Sequence, residues 1–172
     1  IPDEKPCILF IDDNKDLREL IQHILSKKYQ IFIAENALQG LELLKSTPVD
    51  IIICDIMMPQ MNGLEFCRQI KGDIQTNHIP IIMLTAKNAV DDQIECYKAG
   101  AESYIAKPFE MKKLQARIDN LLQSREQSRQ SFRSKMEINI SNLNYQTIDE
   151  EFLNNAMQCV ERHNQESEID TV

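Results

Sequence analysis

The sequence lacks several features that would assign it to common protein classes. Its five cysteines include no CxxC pair or other metal-ligand spacing, and an odd number without a paired framework is typical of free thiols in a reducing cytosol. No apolar run approaches the roughly 20 residues that a membrane-spanning helix needs. There is no signal peptide, so we expect a cytoplasmic location. The first residue is Ile1 and not methionine, so we expect a fragment of a longer chain.

Positive charge is scarce at the C-terminal end. Residues 137–172 contain eight acids and one base, and therefore account for most of the formal net charge of −8. The first 136 residues are nearly neutral. A chain with this charge is a poor candidate for a constitutive nucleic-acid surface.

Apolar strand-like runs alternate with amphipathic helical patterns over the first 124 residues. We predict strands at about 7–12, 31–34, 50–54, 80–84 and 103–106, and helices at about 15–27, 36–46, 63–72, 89–98 and from about 110. The strands are continuously apolar, which indicates a sheet covered on both faces. Right-handed crossovers then give an α/β, doubly wound, three-layer architecture. A TIM barrel would need about twice this length.

The pattern changes after residue 124. Residues 123–136 could prolong the last helix, with an arginine at every fourth position that forms either a solvated face or a basic recognition surface. We predict an irregular linker at 137–147. From residue 148 an amphipathic helix with an acidic first turn begins, and its apolar residues are Phe152, Leu153, Ala156, Met157 and Val160. One helix cannot bury that face alone, so we expect it to belong to a further domain.

Residues useful in phosphate chemistry stand where four of the predicted strands end. Asp12 and Asp13 follow the first strand, Asp55 the third, Thr85 the fourth and Lys107 the fifth. In a parallel sheet these ends meet at one edge, where open α/β sheets bind their ligands. Three clustered carboxylates need a cation, and oxygen-only ligands favour Mg²⁺.

Asp55 is the candidate nucleophile, because a carboxylate can attack a phosphoryl group and form an aspartyl phosphate. Lys107 and the Thr85 hydroxyl would then bind the phosphoryl oxygens. Each residue alone has an ordinary structural explanation. Asp13 could be a helix N-cap, Thr85 a turn residue and Lys107 a solvated charge. Their joint occurrence at successive strand ends favours the phosphate site.

The sequence resembles the receiver domains of two-component response regulators over residues 5–124. The matching segments are Phe10-Ile11-Asp12-Asp13-Asn14, Asp55-Ile56-Met57-Met58-Pro59 with Met61-Asn62-Gly63, Leu84-Thr85-Ala86, Ala99-Gly100-Ala101, and Tyr104 to Lys107-Pro108-Phe109. The resemblance implies a flavodoxin-like, five-stranded parallel sheet of order 2-1-3-4-5. It implies a phosphoryl group on Asp55, accepted from a histidine kinase in a separate chain or in the same one.

The resemblance also implies roles for the remaining site residues. Asp12, Asp13, Asp55 and the Met57 carbonyl would bind Mg²⁺, and the Ala86 amide would join Thr85 and Lys107 at the phosphoryl group. Thr85 and Tyr104 would form the switch, although Tyr104 by itself could simply pack the sheet. Met57 and Lys87 would tune the phosphoryl lifetime, and Met57 favours a long one because its side chain cannot orient water. The bond before Pro108 would be cis, a geometry common only before proline.

The C-terminal segment resembles, over about 25 residues, the start of an AraC-type helix-turn-helix domain. This divides the chain into a receiver domain at 5–124, a helix extension and linker at 125–147, and a truncated output domain at 148–172. DNA would be bound only by the missing part of that domain, and an unrelated amphipathic helix is the alternative.

A homodimer could form through the face made by the fourth helix, fifth strand and fifth helix, or through the helix extension. In a hybrid sensor, this chain would be the cytoplasmic part of a membrane-anchored protein.

Two other functions use similar residues. A phosphatase of the haloacid dehalogenase type would turn over an aspartyl phosphate, but it would want Asp-x-Asp after the first strand and a cap domain. A pseudo-receiver would act only as an interaction scaffold, although the complete set of site residues speaks against that.

Overall fold

Five strands and five helices alternate in the computed structural model, which describes residues 4–86, 90–143 and 155–162. The strands are β1 Cys7–Ile11, β2 Gln30–Ala34, β3 Ile51–Asp55, β4 Ile81–Thr85 and β5 Ser103–Ala106. The helices are α1 Lys15–Leu25, α2 Ala37–Ser46, α3 Gly63–Gly72, α4 Val90–Lys98 and α5 Met111–Leu143. All ten predicted elements of the first 124 residues are present, and most of their ends lie within one or two residues of the predicted ones.

The strands form one parallel sheet in the order β2-β1-β3-β4-β5, which confirms the predicted flavodoxin-like architecture. The central strands β3 and β4 are buried at all five positions, which explains why their sequences show no polar alternation. Because all strands are parallel, their carboxyl ends lie at the same edge. The register there pairs Ile11 with Cys54, and Asp55 with Leu84.

Each face of the sheet has its own hydrophobic core. On one face, alternate strand residues such as Leu9 and Ile52 pack with Phe66 and Cys67 of α3. On the other face, Ile8, Phe10 and Ile53 pack with α1 and α5. Full burial of one such aliphatic side chain stabilises the fold by about 1.5–3 kcal/mol, so these two layers hold the strand ends in fixed positions.

Asparagine side chains cap the N-termini of the first three helices. Asn14, Asn36 and Asn62 are the N-caps of α1, α2 and α3, and each side chain accepts a hydrogen bond from the backbone N–H three residues later. The N-cap of α1 is therefore Asn14, and Asp13 is left available for another role.

The fifth helix is longer than the sequence pattern predicts. It continues to Leu143, so the prediction of an irregular linker is wrong for residues 137–143. Extending a helix that has already formed requires only one more residue to be fixed per hydrogen bond, and this overrides the modest β propensity of Ile138 and Ile140.

The chain divides into two compact units, 1–123 and 124–172. The second unit also contains a helix at 155–162 with exposed Met157 and Val160. The predicted helix start at 148–153 and the remainder of the linker lie outside the described residues.

A three-residue polar contact joins the turn before β2 to α5. The Asp119 carboxylate accepts a hydrogen bond from the buried Tyr29 hydroxyl and one of 2.8 Å from Lys28 Nζ. Burial raises the pKa of Tyr29 to about 12, and the Asp119 carboxylate contributes to the shift. Burial would raise the pKa of Asp119, but the hydrogen bonds from Lys28 and Tyr29 outweigh it and the pKa is lowered.

We expect Asp119→Asn to lower the free energy of unfolding by about 1 kcal/mol at neutral pH. The figure is at the low end for a charged hydrogen bond because the carboxylate is partly exposed. A lowered pKa means that the stabilisation is complete above the unfolded-state value of about 3.9 and is lost as pH falls through the folded-state value. Urea titrations at several pH values should therefore show wild type and variant converging below about pH 4.

The matched control is Glu42→Gln, which breaks the exposed ion pair with Lys45. That change should alter stability by about 0.5 kcal/mol or less. A difference between wild type and Asp119→Asn that stayed constant from neutral pH down to about pH 2.5, more than one unit below the ordinary aspartate pKa of about 3.9, would contradict the assignment.

Candidate functional site

Asp12 is completely buried at the end of β1, and both its backbone and its side chain are held in place. Its N–H donates to the Ala34 carbonyl of β2 at 3.2 Å. Its Oδ1 accepts from the Asn14 N–H at 2.9 Å, and its Oδ2 accepts from Lys107 Nζ at 2.6 Å. The Asp12 carboxylate is thus held by Asn14, in the turn that leads into α1, and by Lys107, the residue that follows β5.

Asp55 ends β3 and is only 5% exposed. Burial raises its pKa and the negative charge of Asp12 raises it further, while Lys107 and the Met57 backbone N–H partly oppose the shift. Lys107 Nζ lies 3.4 Å from Asp55 Oδ1. The Asp55 carboxylate is therefore in an environment that disfavours its negative charge unless a cation is close.

Lys107 contacts both buried carboxylates, Asp12 at 2.6 Å and Asp55 at 3.4 Å. Its backbone N–H donates to the Thr85 carbonyl at 2.6 Å, which extends the pairing of β4 with β5 by one step. Burial lowers the pKa of the ammonium group, but the hydrogen bond to Asp12 and the charges of Asp12 and Asp55 outweigh this, so the pKa is raised. The Lys107-Pro108 peptide bond is cis.

Asp12, Asp13 and Asp55 form a group that fits a hard divalent cation. One carboxylate oxygen from each lies within 4.8 Å of the other two. Within the described residues, this is the only group of three or more acidic, histidine or cysteine side chains with such spacing. Two of the carboxylates are buried and the third, Asp13, is exposed, so the site opens to solvent on one side. All-oxygen ligands with a free approach for water match the requirements of Mg²⁺.

The structure places the other predicted site residues around this group. Thr85 is buried at the end of β4, one position beyond the register partner of Asp55, and Ala86 is exposed directly after it. The Met57 side chain is 70% exposed. Tyr104 is half-buried, and its ring meets that of Tyr97 edge-to-face at 5.8 Å. Lys87 lies outside the described residues.

Two residues support the site through contacts that the sequence pattern does not indicate. Gly63, the first residue of α3, approaches the end of β3 so closely that a Cβ atom there would lie 2.2 Å from the Asp55 carbonyl oxygen. Arg18 of α1 donates to the Asp12 carbonyl at 2.8 Å. Gly63 stands in a recognisable motif, but nothing in the motif indicates this contact. Arg18 is one of many charged residues on an amphipathic helix.

The fold and the site together define a doubly wound α/β domain with an acidic cluster and a lysine at the carboxyl edge of its sheet. The family model of the response regulator receiver domain matches residues 8–119. The chain therefore belongs to the response regulator receiver domain family, whose members are regulatory phosphoacceptor domains of two-component phosphorelay signalling.

Several individual proteins are similar to this chain. It is 36% identical to the histidine kinase P4 of Formosa agariphila over 169 residues, 98% of this chain and 12% of that protein. It is 36% identical to the response regulator MprA of Mycobacterium tuberculosis over 116 residues, 67% of this chain and 50% of that protein. The chain thus spans from about one eighth to half the length of these relatives.

Solved structures agree with this assignment. The signal receiver domain of a signal transduction histidine kinase from Syntrophus aciditrophicus is 32% identical, with a TM-score of 0.65 over 69% of this chain and 91% of that one. A CheY-like receiver domain protein from Methanospirillum hungatei is 25% identical, with a TM-score of 0.68 over 73% of this chain and 99% of that one.

None of the helices in the described part of the chain combines the length and the apolar composition of a membrane span.

Proposed function

We propose that this chain is a Mg²⁺-dependent switch in which Asp55 accepts a phosphoryl group from a phosphohistidine of a histidine kinase. The observation that carries the proposal is the position of Lys107 Nζ, within 2.6 Å of Asp12 and 3.4 Å of Asp55, beside a cluster of three carboxylates. Clustered titratable groups with perturbed pKa values are typical of functional sites, and Lys107 is partly buried between two buried carboxylates.

The reaction is an in-line displacement at phosphorus. An Asp55 carboxylate oxygen attacks, a new O–P bond forms, and the N–P bond to the kinase imidazole breaks. The imidazole departs with its electron pair and takes up a proton. Mg²⁺, when bound, would neutralise the developing charge on the phosphoryl oxygens. Asp12, Asp13, Asp55 and the Met57 carbonyl would hold it.

The other residues would bind the transferred group. Lys107 already lies beside the Asp55 carboxylate, and its ammonium group would donate a charged hydrogen bond to a phosphoryl oxygen. The Thr85 hydroxyl and the Ala86 N–H would donate to the remaining oxygens. The Lys107 N–H bond to the Thr85 carbonyl links these groups, so a shift of the β4 end is transmitted to the β5 end.

Tyr104 would report the phosphorylation to the face made by α4, β5 and α5. When Thr85 moves toward the phosphoryl group, Tyr104 would turn into the space it leaves and give up its edge contact with Tyr97. A buried tyrosine hydroxyl needs a hydrogen-bond partner, so the rotamer is coupled to the backbone around it.

The phosphoryl lifetime would be long, because the exposed Met57 side chain cannot orient an attacking water. Lys87 would be the second residue that tunes it.

The output would lie beyond residue 124. We assign 5–124 to the receiver domain, 125–147 to the helix extension and linker, and 148–172 to the start of an AraC-type transcriptional domain. The similarity to a much longer histidine kinase over 98% of this chain supports a hybrid sensor. This part of the sensor would lie in the cytoplasm. A homodimer would form through α4, β5 and α5, where Ile94 and Tyr97 are exposed, or through the α5 extension, where Phe132 and Met136 are exposed. DNA would be bound only by the rest of the output domain.

The test is phosphorylation of the purified chain by acetyl phosphate and by a phosphorylated histidine kinase domain, with Mg²⁺ and with a chelator. We expect intact-protein mass spectrometry to show one phosphoryl group per chain when Mg²⁺ is present and none when it is chelated.

The label should persist well beyond seconds after the donor is removed, and loss within seconds would contradict the proposed long lifetime. Size-exclusion chromatography of the two states tests dimer formation.

Two outcomes would replace this proposal by its alternatives. Sustained release of phosphate from a phosphomonoester over many turnovers would indicate a phosphatase. Complete failure of the wild-type chain to accept label from either donor would indicate an interaction scaffold.

A further inference from the structure

Arg18 connects the metal-binding edge of the sheet to the start of α2. Its side chain is only 13% exposed although it belongs to a surface helix. One guanidinium nitrogen, Nη1, donates to the Asp12 carbonyl oxygen at 2.8 Å. The other, Nη2, lies 3.9 Å from Glu35 Oε2. The guanidinium group therefore spans from the end of β1 to the residue after β2.

The Glu35 side chain is 57% exposed but has a second partner in addition to Arg18. Gln39 donates from its side-chain amide to Glu35 Oε1 at 3.0 Å, and its amide oxygen accepts from the Glu35 backbone N–H at 3.0 Å. This reciprocal pair fixes the acceptor for Arg18 at the beginning of α2. A chain of three side chains thus runs from Gln39 through Glu35 and Arg18 to the Asp12 backbone.

The contact with the Asp12 carbonyl determines the direction of the peptide group between Asp12 and Asp13. Asp12 is completely buried, so its carbonyl oxygen needs a partner from the protein. Its N–H is held by the Ala34 carbonyl at 3.2 Å, and Arg18 supplies the partner on the opposite side of the residue. With both backbone groups of Asp12 hydrogen-bonded, the peptide group that leads into Asp13 is held in one orientation.

We propose that Arg18 is a positioning residue for cation binding, and that Glu35 orients its guanidinium group. The residue holds the Asp12–Asp13 peptide so that the two carboxylates and Asp55 keep the close spacing the cation needs. Residues that orient metal ligands from behind typically change metal affinity by about 10- to 100-fold when they are replaced. The inference rests on the proposed function, because the cation concerned is the Mg²⁺ of that site.

The experiment is a titration of the unphosphorylated chain with Mg²⁺ by calorimetry, repeated with Mn²⁺ by electron paramagnetic resonance. We expect Arg18→Met to weaken binding of both ions by about tenfold or more. Arg18→Lys should restore part of the affinity, since an ammonium group can reach one of the two acceptors but cannot bridge them. Glu35→Gln should weaken binding by a smaller factor, of about two to three, because its ion pair with Arg18 is long and largely exposed.

Two controls separate positioning from general loss of stability. Arg68→Met removes an exposed arginine whose ion pair with Glu95 has a distance of 3.6 Å, and it should leave cation binding unchanged. Ile21→Val removes a buried methyl group from the same helix as Arg18. It should lower thermal stability and leave cation affinity unchanged.

Each outcome supports or overturns the inference. Unchanged Mg²⁺ affinity in Arg18→Met, with wild type binding normally, would overturn it and leave the proposed function intact. Equal loss of affinity in Ile21→Val and Arg18→Met would also overturn it, because the effect would then follow stability. If wild type bound neither ion, the proposed metal site and this inference would both fail. If Arg18→Met did not fold, Arg18→Lys and Glu35→Gln would decide, and wild-type affinity in both would overturn the inference.

Discussion

Replacement of Asp55 by asparagine is expected to abolish phosphorylation of the chain by acetyl phosphate and by a phosphorylated histidine kinase domain. The amide has nearly the shape of the carboxylate, but its oxygen carries no full negative charge and does not attack phosphorus. The change also removes one of the three carboxylates of the proposed cation site. Intact-protein mass spectrometry after incubation with donor and Mg²⁺ should show only the unmodified mass.

The same substitution should not destabilise the metal-free protein. Burial and the Asp12 charge raise the pKa of Asp55, which means that the ionised side chain is held at a cost in free energy. Asparagine removes that cost while Lys107 keeps its contact with Asp12 at 2.6 Å. We therefore expect the free energy of unfolding without Mg²⁺ to stay the same or to rise, as measured by urea titration.

The control is Asp91→Asn, an exposed acid in the first turn of α4. It should be phosphorylated like wild type. Label on Asp55→Asn at the wild-type level would contradict the acceptor assignment. An unfolded variant would lose the label whatever the role of Asp55. The urea titration on the same samples is therefore part of the test, because it shows that the variant is folded.

Gly63→Ala is expected to lower the free energy of unfolding by about 3 kcal/mol, at the upper end of the usual range for overpacking. A Cβ atom at this position would lie 2.2 Å from the Asp55 carbonyl oxygen and 2.9 Å from the Ile56 Cα atom. Both neighbours are backbone atoms, so no rotamer change can relieve the overlap. The Gly63 N–H also donates to the Ile56 carbonyl at 2.9 Å, which holds α3 against the end of β3.

Relief of this overlap must move either α3 or the strand end that carries Asp55. We therefore expect Gly63→Ala to weaken Mg²⁺ binding as well as stability, measured by calorimetry and urea titration on the same preparation. Gly72→Ala is the matched control, because a Cβ atom there would meet nothing within 4 Å. That variant should be as stable as wild type or more stable by up to about 1 kcal/mol, since alanine restricts the unfolded chain. Wild-type stability of Gly63→Ala would contradict the close-approach argument.

Much of the fold was predictable because its signals are local and repeated. Five short, mostly apolar runs indicate strands of a sheet covered on both faces, and the intervening helices show regular apolar spacing. The end of α5 was not predictable in this way. Ile138 and Ile140 favour a strand by propensity, but a helix that already extends from Met111 continues through them at little cost.

The order of strands and the residues that follow them were enough to predict which residues meet at the edge of the sheet, because a parallel sheet brings the carboxyl ends of its strands together. Asp12, Asp55 and Lys107 follow from that rule without knowledge of any distance. How these residues are held could be learned only from the folded structure. Whether Lys107 lies between two carboxylates, whether Arg18 holds a backbone carbonyl, and whether Gly63 has room for a methyl group depend on packing between segments far apart in the chain. Such contacts leave no periodic pattern in the sequence, since each involves a single residue and a partner on another element.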